Sequence, residues 1–106
     1  MGQPYSSGVW IAKLGREAEF IAAWQEFATW SLTTIEGGSW AKLLQDRTQS
    51  NRFVSFGPWD SLEQIEAWRS HAGFAERVGQ IRELIESLEP STLEAVVEVA
   101  TGSQLG

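Results

Sequence analysis

His71 is the only histidine of this 106-residue chain, and it lies three residues after Trp68 in the segment from Phe56 to Phe74, FGPWDSLEQIEAWRSHAGF. An imidazole titrates near neutrality, so His71 could serve as a general base that removes an acidic proton from a substrate. The same residues have a purely structural reading. A helix-end histidine can bond a backbone group, Trp68 is at helical spacing from Leu62 and Ile65, and Trp59, following Pro58, can staple the start of a helix.

Other chemistries have few residues to draw on. Cysteine is absent, which removes disulfides, thiolate nucleophiles and sulfur-ligated metals together. One histidine cannot assemble a metal site alone, and Glu63, Glu66, Glu76, Glu83, Glu86 and Glu89 read as solvated helix faces, so no metal is predicted. Gly37-Gly38 and Gly73 belong to neither a GxGxxG nor a GxxxxGK pattern, so no nucleotide cofactor is predicted either. Aromatics are the abundant material: Trp10, Trp24, Phe56, Trp59 and Phe74 are candidate pocket walls, and some of Trp10, Trp24, Trp30 and Trp40 must fill the core of so small a domain while others could wall a pocket. Arg47, Asn51 and Arg52 could orient a substrate oxygen, although hairpin ends collect such residues anyway.

Charge narrows the partners. The net charge is −6, and the eight Lys and Arg are scattered, which leaves no electrostatic footprint for a phosphate backbone. Phe53-Val54-Ser55-Phe56 echoes part of an RNA-recognition motif, but Ser50, Asn51 and Arg52 stand where its glycine and aromatic belong, and nucleic acid is not expected as a partner. There is no apolar run of roughly 20 residues and no secretory pattern at the N-terminus, so a soluble, cytoplasmic protein without membrane contact is expected.

These residues are positioned by one domain, expected over 8–100, with flexible ends at 1–7 and 101–106. A strand is predicted over Gly8–Leu14 and a long amphipathic helix over Glu17–Ile35, ended by Gly37 and Gly38. Ser39–Arg47 and Asn51–Gly57 read as an antiparallel pair closed by Pro58. Asp60 or Ser61 then caps a helix carrying Leu62, Ile65 and Trp68, interrupted at His71 to Gly73. A further helix is predicted over Phe74–Ser87, with an Arg82–Glu86 surface pair, then a turn at Pro90 and a last strand over Thr92–Ala100.

The order strand, helix, strand, strand, helix pair, strand defines an α+β, ferredoxin-like βαββαβ domain with helices on one face of an antiparallel sheet. Val9 to Ala12 and Ala95 to Val97 are apolar at consecutive positions, so both pleat faces are greasy and something must cover the second. A second copy of the sheet is the simplest cover, and a homodimer is predicted.

With Phe56, Trp59, Trp68, His71 and Phe74 in this element order, the chain from Val9 to about Val99 resembles the antibiotic biosynthesis monooxygenase family, whose members are dimeric α/β barrels. The resemblance implies a small cavity between sheet and helices, and cofactor-independent oxygenation of a small aromatic or quinonoid compound, with His71 as base and Trp68 shaping the pocket. Relatives with this fold also degrade haem. They use a first-strand Asn, a second-helix Trp and a His about ten residues later. Trp68 matches that Trp, but Val78 stands at the ligand position and Gly8 near the Asn, which argues against haem. The alternative of a different class is a non-catalytic dimer that binds a small apolar ligand or serves in assembly.

Overall fold

A computed structural model describes residues 2–102. In it the chain runs β1 (Pro4–Ala12), α1 (Glu17–Thr34), β2 (Lys42–Gln45), β3 (Arg52–Pro58), α2 (Leu62–Ser70), α3 (Ala72–Arg82) and β4 (Ile85–Glu94). The strands form one antiparallel sheet in the order β2-β3-β1-β4, the ferredoxin-like arrangement. Strand alternation sorts β1 into two rows. Ser6, Gly8, Trp10 and Ala12 are buried beneath the helices, and Tyr5, Ser7, Val9 and Ile11 lie half-buried on the other face.

The core is the layer between the sheet and α1, α2 and α3, where Phe20, Phe53, Ile65 and Ile81 are almost wholly buried. Trp10, Phe20 and Phe53 meet there as tilted rings 4.8–5.4 Å apart, a favoured aromatic geometry. α1 exits through Gly37 at φ +107, a left-handed conformation that favours glycine, and a Cβ there would lie 2.3 Å from the Gln64 side chain. Gly38 instead bridges to Trp59, so only one of the two glycines supplies left-handed geometry. α2 is capped by Ser61, whose hydroxyl accepts from the Gln64 N–H at 3.3 Å.

The terminal elements depart from the sequence reading. Residues 1–7 were expected to be flexible, yet Pro4 to Ser7 belong to β1, pairing with β4, with β3 joining from Tyr5 onward. Local Pro and Ser content reads as loop, but two neighbouring strands satisfy this backbone. At the other end α3 stops at Arg82 and the last strand runs over Ile85–Glu94 rather than Thr92–Ala100. The apolar spacing Ile81, Leu84, Ile85, Leu88 passes through the helix–strand junction with no Gly or Pro to mark it, so periodicity alone extends the helix. Glu86 accordingly sits in β4, and the expected Arg82–Glu86 helix pair does not form. Pro90 is inside β4 rather than in a turn, which an edge strand tolerates because one side of its backbone needs no partner. β2 is shorter than expected, at four residues. Residues 95–100 lie outside the sheet, and Met1 and 103–106 fall outside the described residues.

α3 approaches α1 closely at its first turn, where a Cβ on Gly73 would lie 2.4 Å from Cζ2 of Trp30. Glycine is therefore required there by contact rather than by backbone angle. Gly73→Ala is expected to lower unfolding stability by about 1–3 kcal/mol, the usual range for overpacking, as measured by urea denaturation.

A tryptophan-lined cavity as the candidate active site

Between the helix-facing side of the sheet and the three helices lies an apolar cavity of about 70 Å³, walled by Trp10, Trp24, Phe27, Trp59, Trp68 and Phe74 among others. That is several times the ~10–15 Å³ needed for one water and about half of the ~150 Å³ cavity that holds benzene, so an aromatic ligand needs adjoining space as well. Next to it a groove of about 490 Å³ runs between α1 and β2, and Trp24, Ala28, Leu32 and Ala41 line both spaces. These four residues form the partition between cavity and groove. β2 is an edge strand, so the partition stands at the margin of the sheet.

Three tryptophans of the cavity share one device. Trp10 donates its indole N–H to the Ser55 hydroxyl at 2.9 Å, Trp59 to Ser6 at 2.9 Å and Trp68 to Ser31 at 2.8 Å. All three serines are buried. A buried indole N–H without an acceptor costs about 1–3 kcal/mol, so each serine allows a large ring to lie deep in the interior. The rings also support one another: Trp68 lies 5.0 Å from Trp59 and meets Phe74 edge-on at 4.9 Å.

Among the described residues, Arg69 is the one ionisable residue that lines the cavity. Its guanidinium lies 5.8 Å from the Trp68 ring centroid and donates to the Ser91 carbonyl at 2.9 Å and to the Thr92 hydroxyl, which fixes α2 against β4. Partial burial pushes its pKa below the ordinary arginine value. The group stays cationic, because guanidinium does not lose its proton in proteins.

Of the residues selected from sequence, Trp10, Trp24, Phe56, Trp59, Trp68 and Phe74 all line this cavity, Phe56 from the open face of the sheet, where its ring packs on Trp40 at 5.8 Å. His71 does not line it. The imidazole is exposed and caps α3, with Nδ1 accepting from the Gly73 N–H at 2.9 Å, and its ring stands edge-on to Trp30 at 5.3 Å. The expectation of a base facing the pocket is corrected by this position, and the helix-end hydrogen bond is what His71 makes. The break between α2 and α3 leaves orphan backbone donors at the start of α3, and the only residue at the break with a side-chain acceptor is this one.

Asn51 and Arg52 serve the hairpin. The Asn51 amide donates to the Ala12 carbonyl at 2.9 Å, and Arg52 pairs with Asp46, whose carboxyl is held below the usual carboxylate range by N–H and hydroxyl donation from Thr48 and by the Gln49 N–H. Neither Arg47, Asn51 nor Arg52 lines the cavity. Sequence reading missed Ser6, Ser31, Ser55 and Arg69. The available signal was polarity at inward strand positions: Ser55 stands between Phe53 and Gly57 on the buried row of β3.

The sequence profile of the antibiotic biosynthesis monooxygenases matches residues 10–80, and the chain belongs to that family. Among solved structures it is similar to SnoaB, a cofactor-independent oxygenase from Streptomyces nogalater, at 18% identity and TM-score 0.85 over 95% of this chain and 100% of that one. It is similar to a candidate antibiotic biosynthesis monooxygenase from Deinococcus radiodurans at 17% identity and TM-score 0.80, over 94% and 99% of the two chains. A conserved protein of unknown function from Bacteroides thetaiotaomicron matches at 23% identity and TM-score 0.76, over 89% and 98%. At these identities the likeness establishes the fold. No curated protein sequence matches the chain.

His71→Ala is expected to destabilise the protein by about 0.5–2 kcal/mol through loss of the α3 cap, and His71→Asn to recover most of it, because asparagine also accepts at this position. Thermal unfolding of the two variants followed by circular dichroism measures the difference.

Proposed function

We propose that this protein is a cofactor-independent monooxygenase that acts, as a homodimer, on a small aromatic or quinonoid compound held across the tryptophan-lined cavity and the adjoining groove between α1 and β2. The observation that carries the reading is the coincidence of an apolar cavity with a single cation, Arg69, at its wall, in a chain of this family. Aromatic walls suit a flat aromatic ligand, and water exclusion strengthens any charge interaction inside.

Such a reaction takes its electrons from the substrate. An ionised hydroxyarene is electron-rich enough to react with oxygen, one oxygen atom joining the ring carbon and the other leaving as water, so that phenol plus O₂ balances as quinone plus water. The contribution of the protein is to favour the anion. Arg69 supplies a fixed positive charge beside the place where negative charge develops, and the indoles fix the ring. His71, outside the cavity, has no part in this scheme.

Dimerisation is supported by the uncovered face of the sheet. Tyr5, Val9, Ile11, Val54 and Phe56 are half-buried there, while Leu44 and Leu93 are each 51% exposed and Trp40 is 40% exposed. An apolar face of this kind is covered most simply by its own symmetry mate. No helix among the described residues is long and apolar enough to cross a membrane.

A second reading is favoured by one observation: among the described residues no carboxylate or imidazole lines the cavity, so a base would have to come from the substrate's own ionisation or from solvent. Under that reading the cavity binds a ligand without turning it over. Oxygen-electrode assays with hydroxynaphthoquinone-type compounds separate the two, oxygen uptake being expected for an enzyme and binding without uptake for a silent module. Arg69→Met is expected to lower kcat/KM by at least about tenfold, below the cost of losing a fully buried oxyanion donor because Arg69 is half-exposed. Sedimentation equilibrium is expected to give twice the protomer mass of 11.8 kDa at micromolar concentration, and the protomer mass alone would remove the dimer.

A further inference from the structure

The three serines that accept an indole N–H differ in what they do with their own proton. Ser31 donates it to the Phe27 carbonyl at 2.8 Å, as expected for a serine inside a helix. Ser6 and Ser55 are 9% and 8% exposed, accept from Trp59 and Trp10, and donate to no acceptor among the described residues. Both line the cavity. Two buried hydroxyl protons thus border an otherwise apolar space without an acceptor among the described residues, although each oxygen is itself partnered by an indole.

Strand register puts the two together. Ser6 is opposite Gly57 and Ser55 is opposite Gly8, so the hydroxyls occupy diagonal corners of one helix-facing patch on β1 and β3, with glycine at the other two corners. A Cβ on Gly8 would lie 3.3 Å from Oγ of Ser55 and 3.0 Å from Nε1 of Trp10. Glycine therefore leaves uncovered, on the cavity side, the hydroxyl that any larger residue would shield. The indole bonds also set polarity. Each serine oxygen already accepts a hydrogen bond, which polarises its O–H and leaves the proton as its unspent capacity.

We propose that Ser6 and Ser55 are the specificity-determining polar contacts of this cavity, donating hydroxyl protons to carbonyl or phenolate oxygen on an aromatic ligand. The inference rests on the reading of the cavity as the ligand site. It adds that the ligand must carry an acceptor oxygen, because an aromatic hydrocarbon of the same shape leaves both donors unpaired. Selection of this kind is sharper than selection by size alone, since the cost of a missing partner falls on buried polar groups.

The test uses two ligands of matched shape, acetophenone and α-methylstyrene, which differ by C=O against C=CH₂, titrated into wild type, Ser6→Ala and Ser55→Ala by calorimetry. Each substitution is expected to weaken acetophenone binding by about two- to tenfold, the range of a neutral hydrogen bond, and to leave α-methylstyrene within about twofold. Equal weakening of both ligands, or of neither, would overturn the donor role while leaving the cavity as a ligand site. Wild type that binds neither compound overturns both the donor role and the reading beneath it. Because the variants also remove acceptors from Trp59 and Trp10, a second measurement is made on wild type alone. The carbonyl stretching band of bound ¹³C-labelled acetophenone is expected at lower wavenumber than in cyclohexane, and an unshifted band overturns the proposal.

Discussion

An indole N–H cannot be left dry, and the interior of this protein is organised around that constraint. Trp10, Trp59 and Trp68 each reach the centre of the domain, and each finds a serine hydroxyl across a layer or a strand. Trp68 reaches from α2 to Ser31 on α1, so one hydrogen bond fixes two helices above the sheet. Trp59, just past β3, bonds Ser6 on β1, and Trp10 on β1 bonds Ser55 on β3, so the two central strands are laced in both directions. Large rings held at their polar ends cannot slide to close every gap, and the space they leave is the cavity. Smaller aliphatic side chains without polar atoms would be free to repack to higher density.

The fold was legible in the sequence wherever local chemistry and periodicity agree. α1 reads from the spacing of Phe20, Trp24 and Phe27 and ends beside Gly37; α2 reads from Ser61 as cap with Ile65 and Trp68 inward. The junction after Arg82 was illegible because Ile81, Leu84 and Ile85 satisfy a helical period even though the chain has already turned into a strand. β1 was read four residues short because Pro4, Ser6 and Ser7 are loop formers by type, and only pairing on both sides overrides that preference.

The candidate site was legible in its aromatics and not in its polar groups. Six aromatic residues chosen from pattern and family likeness do line one cavity. Polar residues failed for two opposite reasons. His71 stands out by type, yet a cap demands an acceptor at the α2–α3 break, and the imidazole meets that demand outside the cavity. Ser6 and Ser55 are unremarkable by type, and their importance comes only from burial and register, which bring two strands separated by 49 positions face to face.

A small domain with a one-sided helical layer has a further problem, which links the core to the surface. Beneath the helices the sheet's inward row is satisfied by tryptophan, phenylalanine and serine. The outward row carries Val9, Ile11, Val54 and Phe56 with no layer of its own. Phe56 belongs to both economies, because its ring lies among the outward residues against Trp40 while the residue also borders the cavity. Anything that settles on the outward face therefore presses on a cavity wall. On the proposed function, dimerisation and ligand binding meet at β3, where Ser55 turns inward to the cavity and Phe56, the next residue, turns outward to the uncovered face.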